Sequence, residues 1–307
     1  MATPQRQAAV VGGGIMGGDI AIIFAAAGWN VHVMSPSQKT RDALPERITT
    51  GLKKLEAPAG NAALLKTYAT LEEAPLKDVS IVIEAATEDL ALKHRIFADL
   101  ERLTRPDTIL TSNSSTFPVG AIGKQLKTRT RVAGTHFFMP AHLVPLVEIV
   151  SAEFTERKVA ERLLELMREL GKAPIDVTKD VPGFVGNRLQ HALVREALWL
   201  LQNGVTTPEG IDTAVRFGFG FRYIACGPMM QKELSGWDTN LFAATSVYPH
   251  LYNEKGPPPF LKEMVAKGHI GMKTKRGLWE WTDEAIAAEK ARIERCLQAG
   301  MDILKSG

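Results

Sequence analysis

The sequence predicts an α/β fold: a doubly wound, mostly parallel sheet in residues 1–182, followed by an all-α domain in residues 183–307. Three observations predict it. Strand-length apolar runs alternate with helical patterns through the first half, a glycine-rich turn joins the first strand to the first helix, and strand signal nearly vanishes after Pro182-Gly183. At 307 residues the chain is long enough for two domains with buried cores.

Ala8–Val11 is a short apolar strand, followed by the turn GGGIMGG and an Ala-rich helix over Asp19–Ala27, stopped by Gly28. Val31–Met34 reads as the second strand. Val79–Glu84, Thr108–Thr111, Arg131–Thr135 and Leu146–Val150 follow, with helices such as Ala91–Thr104 and Phe154–Leu170 between some of them. A last strand is expected over Ala173–Val177. Alternation of this kind implies a parallel sheet covered on both faces. In the second half, Val185, Leu189, Leu193, Ala197 and Leu200 keep helical spacing until Asn203-Gly204, and Thr207-Pro208-Glu209 is a helix start. Further helices are expected over Pro228–Thr245, Phe260–Lys267 and Asp283–Lys305.

Composition narrows the function classes. Hydrophobic residues make up 45% and charged residues 23%, as in an ordinary globular protein. The net charge of +3 comes from scattered Lys and Arg, which gives no nucleic-acid footprint. Cys226 and Cys296 are the only cysteines and have no CxxC spacing, so no disulfide framework and no metal site are expected. The polar start MATPQRQ has no signal-peptide core, and the longest apolar run, Ile20 to Trp29, is too short to span a bilayer. A reducing cytoplasm without membrane attachment is the expectation.

The turn Gly12-Gly13-Gly14-Ile15-Met16-Gly17 gives G-x-G-x-x-G between a strand and a helix. The first glycine makes the turn, the second admits a pyrophosphate, and the third lets the helix pack on the strand. The helix start adds free N–H groups and a positive dipole end. A glycine loop can also serve a turn alone, but this setting points to a Rossmann-like dinucleotide site, with Gly12, Gly14, Ile15, Met16 and Gly17 around the cofactor. The acidic residue expected to grip the ribose is replaced by Ser35, with Lys39 and Arg41 nearby. Ser35 either bonds the 2′-hydroxyl of NAD or, with these cations, accepts the 2′-phosphate of NADP.

The stretch THFFMPAHLVPLVEIV holds the candidate chemistry. If its two β-rich runs pair as a hairpin centred near His142, residues whose numbers sum to 284 face each other, and His136 and Glu148 do. Opposed side chains have Cβ atoms about 4.5–5.5 Å apart. A carboxylate held against an imidazole is a proton-transfer device; the other reading is a buried His beside an unrelated Glu. Asn113 and Ser115 follow a strand end, where open α/β sheets bind ligands, or else cap a helix before Pro118. Glu88 and Lys93 either reach the cofactor or form a solvated helix start. Asn187 caps the first helix of the second domain or faces a cleft. His32, His94, His191, His250 and His269 have no carboxylate partner in the pattern, and His142 sits in the loop of the hairpin.

GGGIMGG, SNSS, THFFMP, LVEIV, KDVPGFVGNRL, CGPMMQKELSGWD and GMKTKRGLWEW occur in the order and spacing of the L-3-hydroxyacyl-CoA dehydrogenase family, which the chain resembles over nearly its whole length. The resemblance implies NAD or NADP as cofactor and a helical domain that mediates homodimerisation. It also implies that His136 is the acid/base and Glu148 its orienting partner, with Ser115 and Asn187 contacting the reacting oxygen and the imidazole. Glu88 and Lys93 match positions that touch the cofactor, and Asn113 joins that set.

The expected activity is interconversion of a 3-hydroxyacyl-CoA and its 3-oxoacyl-CoA. Three departures bear on the substrate. Met139 stands where the family usually carries Asn, and a thioether lacks an amide's hydrogen bonds. Asp19 stands where Gly is common, and its charge opposes the helix dipole unless it points away. The segment between Ser35 and Thr67, interrupted by Pro45 and Pro58, is shorter than the arm typical of CoA-dependent members. Relatives acting on small non-CoA hydroxy acids or carbonyl compounds, such as carnitine, gulonate and pyridoxine-degradation dehydrogenases, supply the alternative. The structural lens protein λ-crystallin, a further relative, supplies an alternative of another class.

Overall fold

The computed structural model describes residues 6–306. The expectation drawn from the polar N-terminus therefore lies, through residue 5, outside the described residues. The chain divides into two compact units, Met1–Gly186 and Asn187–Gly307. The amides of Val185 and Gly186 are bonded back to Glu148 in the sheet, at 2.9 and 2.8 Å, which keeps these residues with the first unit.

The first unit is one eight-stranded sheet in the order β3-β2-β1-β4-β5-β6-β7-β8. Its strands are β1 (Gln7–Val11), β2 (Asn30–Met34), β3 (Leu65–Tyr68), β4 (Ile81–Glu84), β5 (Ile109–Ser112), β6 (Val132–Phe137), β7 (Leu146–Val150) and β8 (Ala173–Val177). All neighbours are parallel except β6 and β7. Side chains alternate between faces, so β1 feeds two cores. Ala8 and Val10 pack with the helices α1 (Ile15–Ala26), α2 (Gln38–Lys54) and α5 (Arg157–Glu169); Ala9 and Val11 pack with α3 (Leu90–Leu103) and α4 (Val119–Gly123). The strand order reverses between β1 and β4. That switch point is where open α/β sheets bind ligands.

Two differences from the sequence reading on the nucleotide side of the sheet come from packing. Helix α1 starts at Ile15, not Asp19. The glycines at 17 and 18 are poor helix formers, but a Cβ on Gly17 would lie 1.7 Å from the Gly12 carbonyl, so close helix–turn contact requires them. Asp19 thus falls inside the helix and is buried. Pro45 does not interrupt the chain but lies within α2, which runs through it. A proline inside a helix costs about 3 kcal/mol, and the burial of Leu44, Ile48 and Leu52 against α1 and the sheet offsets that.

The second unit is helical: α6 (Gly186–Gln202), α7 (Pro208–Ala214), α8 (Gly220–Arg222), α9 (Pro228–Ser235), α10 (Trp237–Val247), α11 (Pro259–Ala266) and α12 (Asp283–Ser306). Thr207 caps α7 by accepting from the Gly210 amide at 3.2 Å. The helix expected over 228–245 is two, because Gly236 turns the chain at φ +84°. No residue of α6, α7, α9, α10 or α11 is buried, and Leu234 and Phe242 are 76% and 77% exposed.

Candidate active site

The glycine turn is built for close approach. Gly12 takes φ +104°, donates to the Met34 carbonyl at 2.8 Å, and would place a Cβ 2.5 Å from the Ala85 carbonyl oxygen. Nothing lies within 4 Å of a Cβ built on Gly14, at the N-terminus of α1. A cavity of about 400 Å³ opens there, lined by Gly12, Gly13, Gly14, Ser35, Ala85, Ala86 and Thr87 among others. The open Gly14 position, the free helix start and this cavity at the switch point fit a dinucleotide. Ser35 is buried at the end of β2, and its carbonyl accepts from the Arg41 guanidinium, which places that cation beside the cavity wall. Ile15 is exposed, while Met16 packs partly into the core.

The antiparallel register of β6 and β7 pairs His136 with Glu148, and His136 Nδ1 lies 2.6 Å from Glu148 Oε2. Both side chains are buried. Glu148 Oε1 accepts from the Val185 and Gly186 amides. Burial by itself would raise the Glu148 pKa, but the bonds from His136, Gly186 and Val185 outweigh it and hold the carboxyl below its ordinary range. The imidazole is flanked by the rings of Phe138 at 4.7 Å and Phe184 at 5.4 Å. Phe184 keeps that place with φ +48°, a left-handed conformation unusual for an aromatic residue. With Nδ1 donating to a carboxylate, the neutral ring keeps its lone pair on Nε2.

The strand ends beside this pair carry a second polar group. Glu84, the last residue of β4, is fully buried and accepts from Lys93 Nζ at 2.8 and 2.9 Å, from Ser112 Oγ at 2.6 Å and from the Ala86 amide at 2.7 Å. Glu88 accepts from Ser114 Oγ at 2.8 Å and from the Ser115 amide at 3.3 Å, and lies 3.7 Å from Lys93 Nζ. Lys93 is therefore no solvated helix start: its side chain is 1% exposed and its ammonium is engaged by carboxylates. Asn113 Oδ1 accepts from the Phe137 amide at 2.9 Å and so fixes the strand end next to His136. Ser115 is exposed on the same loop. Asn187 is the first residue of the second unit, in the first turn of α6.

Sequence reasoning missed Glu84. The available signal was a carboxylate ending the apolar strand VSIVIE, in register with Ser112 and nine residues before Lys93. Of the remaining histidines, His32 bridges Tyr68 Oη (3.0 Å) and Gln7 Oε1 (2.9 Å), and His94 Nε2 lies 2.8 Å from the Ala121 carbonyl. Both serve the scaffold. Among the described residues no group of three or more His, Cys, Asp or Glu is placed to hold a metal, and no helix is long and apolar enough to cross a membrane.

Residues 7–181 match the 3-hydroxyacyl-CoA dehydrogenase NAD binding domain, and residues 183–281 match the 3-hydroxyacyl-CoA dehydrogenase C-terminal domain. The chain is 36% identical over 289 residues to the 3-hydroxyadipyl-CoA dehydrogenase of Escherichia coli K12, covering 91% of this chain and 60% of that protein. Among solved structures, a 5-formyl-3-hydroxy-2-methylpyridine 4-carboxylic acid 5-dehydrogenase, described as an NAD+-dependent dismutase, superposes with a TM-score of 0.91 at 29% identity. That likeness covers 98% of this chain and 99% of the other. The (S)-3-hydroxybutyryl-CoA dehydrogenase of Ralstonia eutropha gives a TM-score of 0.73 at 31% identity, over 91% of this chain and 100% of that one. On these matches, across both of its units, the chain belongs to the 3-hydroxyacyl-CoA dehydrogenase family.

Proposed function

We propose that this chain is an NAD-dependent oxidoreductase that interconverts a CH–OH carbon and a carbonyl in a small, non-CoA hydroxy acid or carbonyl compound. The observation that carries the redox reading is the His136–Glu148 pair, in register and buried, in the unit that holds the dinucleotide turn. A bound nicotinamide supplies the hydride acceptor or donor. Gly12, Gly14, Ile15, Met16, Gly17 and Ser35 would hold the pyrophosphate and ribose of the dinucleotide, with Glu88 and Asn113 shaping the neighbouring strand ends and Lys93 fixing the carboxylates there. His136 Nε2 takes the hydroxyl proton during oxidation and returns it during reduction. Glu148, kept ionised, stabilises the imidazolium formed in between. The family pattern adds Ser115 and Asn187 as polar groups for the reacting oxygen and the imidazole.

Two observations favour a non-CoA substrate. The span between β2 and β3 holds only helix α2 and a short 3-10 helix, Ala59–Leu64, and both pack back on the first unit through Leu44, Ile48, Leu52 and Ala62. The superposition on the pyridine-carboxylate enzyme is also closer than on the CoA-dependent dehydrogenase, with TM-scores of 0.91 and 0.73, although the sequence identities are 29% and 31%. The 3-hydroxyacyl-CoA reading keeps its support from the E. coli relative. Steady-state rates with acetoacetyl-CoA, free 3-oxo acids and aromatic hydroxy acids, followed by NADH absorbance, decide between them. A kcat/KM for acetoacetyl-CoA well above every free acid overturns the non-CoA reading. Absence of turnover with all classes favours the crystallin-like structural role.

Arg41 beside Ser35 supports tolerance of NADP, and a kcat/KM strongly favouring NAD over NADP rejects it. The uncovered apolar faces of α9 and α10 support a homodimer formed through the second unit. His136→Gln is expected to keep NADH binding while cutting turnover at least a hundredfold; near-native turnover overturns the assignment.

A further inference from the structure

Asp19 is the residue of the nucleotide helix that the cofactor chemistry leaves unused. Asp19 is not among the residues lining the cavity at the glycine turn. Its Oδ1 pairs with Arg47 at 2.5 Å, and its Oδ2 accepts from the Ala141 amide at 3.0 Å. Arg47 in turn donates to the Gly14 carbonyl at 2.9 Å and to the Ile15 carbonyl, so it lies across the first turn of α1. Gly18 makes room for it, since a Cβ there would lie 2.4 Å from the guanidinium. His142 Nδ1 is 3.3 Å from Asp19 Oδ1, out of hydrogen-bond alignment.

On the other side, Ala141 belongs to the loop that leaves the His136 strand. This loop includes Met139, 68% exposed, and is held again by Lys172 Nζ on the Ala141 and Val144 carbonyls at 2.6 and 3.1 Å. Asp19 is itself 5% exposed, where the charge-assisted bonds it accepts are strongest.

We infer that Asp19 is a positioning residue: with Arg47 it ties the first turn of the nucleotide helix to the loop 139–145, and so sets the substrate-side loop against the bound cofactor. The inference rests on the proposed redox reading for what the loop does, and on geometry alone for the tie. It also explains how a carboxylate is tolerated near a dinucleotide helix start. Its charge is matched by Arg47 and turned toward a backbone amide, so the α1 N-terminus keeps its attraction for an anion.

The test uses Asp19→Ala, Asp19→Asn and Arg47→Met in the full chain, read by amide exchange, NADH fluorescence titration and steady-state kinetics with the substrate class the rates select. Asp19→Ala is expected to speed exchange of the amides at 141–144 about tenfold or more. It is also expected to raise substrate KM about tenfold with the NADH Kd within twofold. Asp19→Asn, which keeps an acceptor for Ala141, is expected to recover most of the loop protection and part of the KM. Arg47→Met is expected to loosen the same loop amides. Unchanged exchange at 141–144 in both Asp19 variants overturns the tie. Faster exchange with unchanged KM overturns the positioning role and leaves a structural contact. If Asp19→Ala does not fold, Asp19→Asn with Arg47→Met supplies the same comparison. Failure of the redox reading shows separately, as near-native turnover in His136→Gln.

Discussion

At the scale of single residues, charge burial decides behaviour. Lys172 is pulled down to a pKa of about 8 by burial, only partly opposed by the nearby charge of Asp19. In the unfolded chain a lysine keeps its value of 10.5. Between these two values the unfolded state binds more protons, so stability rises with pH across that window; below it the buried ammonium is a standing cost. Lys172→Met is expected to remove the rise. In urea unfolding at pH 8 and 9.5, the native chain should gain roughly 1–2 kcal/mol relative to the variant; equal changes in both would refute the shift. Glu148 has the opposite sign. Its lowered pKa contributes stability above the ordinary carboxylate value, lost as pH falls through the folded one. How legible were these residues? The facing of His136 and Glu148 followed from strand parity, because hairpin register is arithmetic. Glu84 and Asp19 were hidden, because their partners, Lys93 and Ser112, Arg47 and Ala141, come from elements whose approach depends on tertiary packing.

At the scale of elements, the glycine turn separates fold from function. Gly14→Ala meets open space at an ordinary φ of −64°, so melting temperature is expected to stay within about 1 °C while NADH Kd rises at least tenfold. Gly17→Ala drives a Cβ against the Gly12 carbonyl and is expected to lower both stability, by about 2 kcal/mol or more, and binding. Thermal melts with fluorescence titration check both. If Gly14→Ala binds NADH normally, the pyrophosphate does not lie over that glycine. Most strands of the first unit could be read as apolar runs between turn signals. Strand β3 could not: LKTY is half polar and pairs only at the sheet edge. Helix α2 was obscured by Pro45, whose local cost is overridden by an apolar stripe that matters only once α1 is beside it.

At the scale of the whole molecule, the two units differ in how far they satisfy themselves. The first buries two cores; the second leaves Phe217, Leu234, Leu241 and Phe242 mostly exposed. Sedimentation is expected to show a dimer, and the double variant Leu234→Asp with Phe242→Asp is expected to shift it toward monomer while leaving the first unit's NADH affinity unchanged. A native chain that sediments as a monomer at micromolar concentration refutes the dimer. Composition and periodicity established that the second half is helical, but they could not say which apolar faces lack cover, since that depends on how the helices close on each other. The Glu148 carboxylate has a further consequence at this scale. One oxygen steers the imidazole while the other fastens the peptide at which the first unit ends. On the proposed reading, a substitution there is expected to injure a reaction and a tether together, so its kinetic defect would overstate what the carboxylate does for the proton alone. The His136 variants, which leave the tether in place, are the cleaner measure of that chemistry.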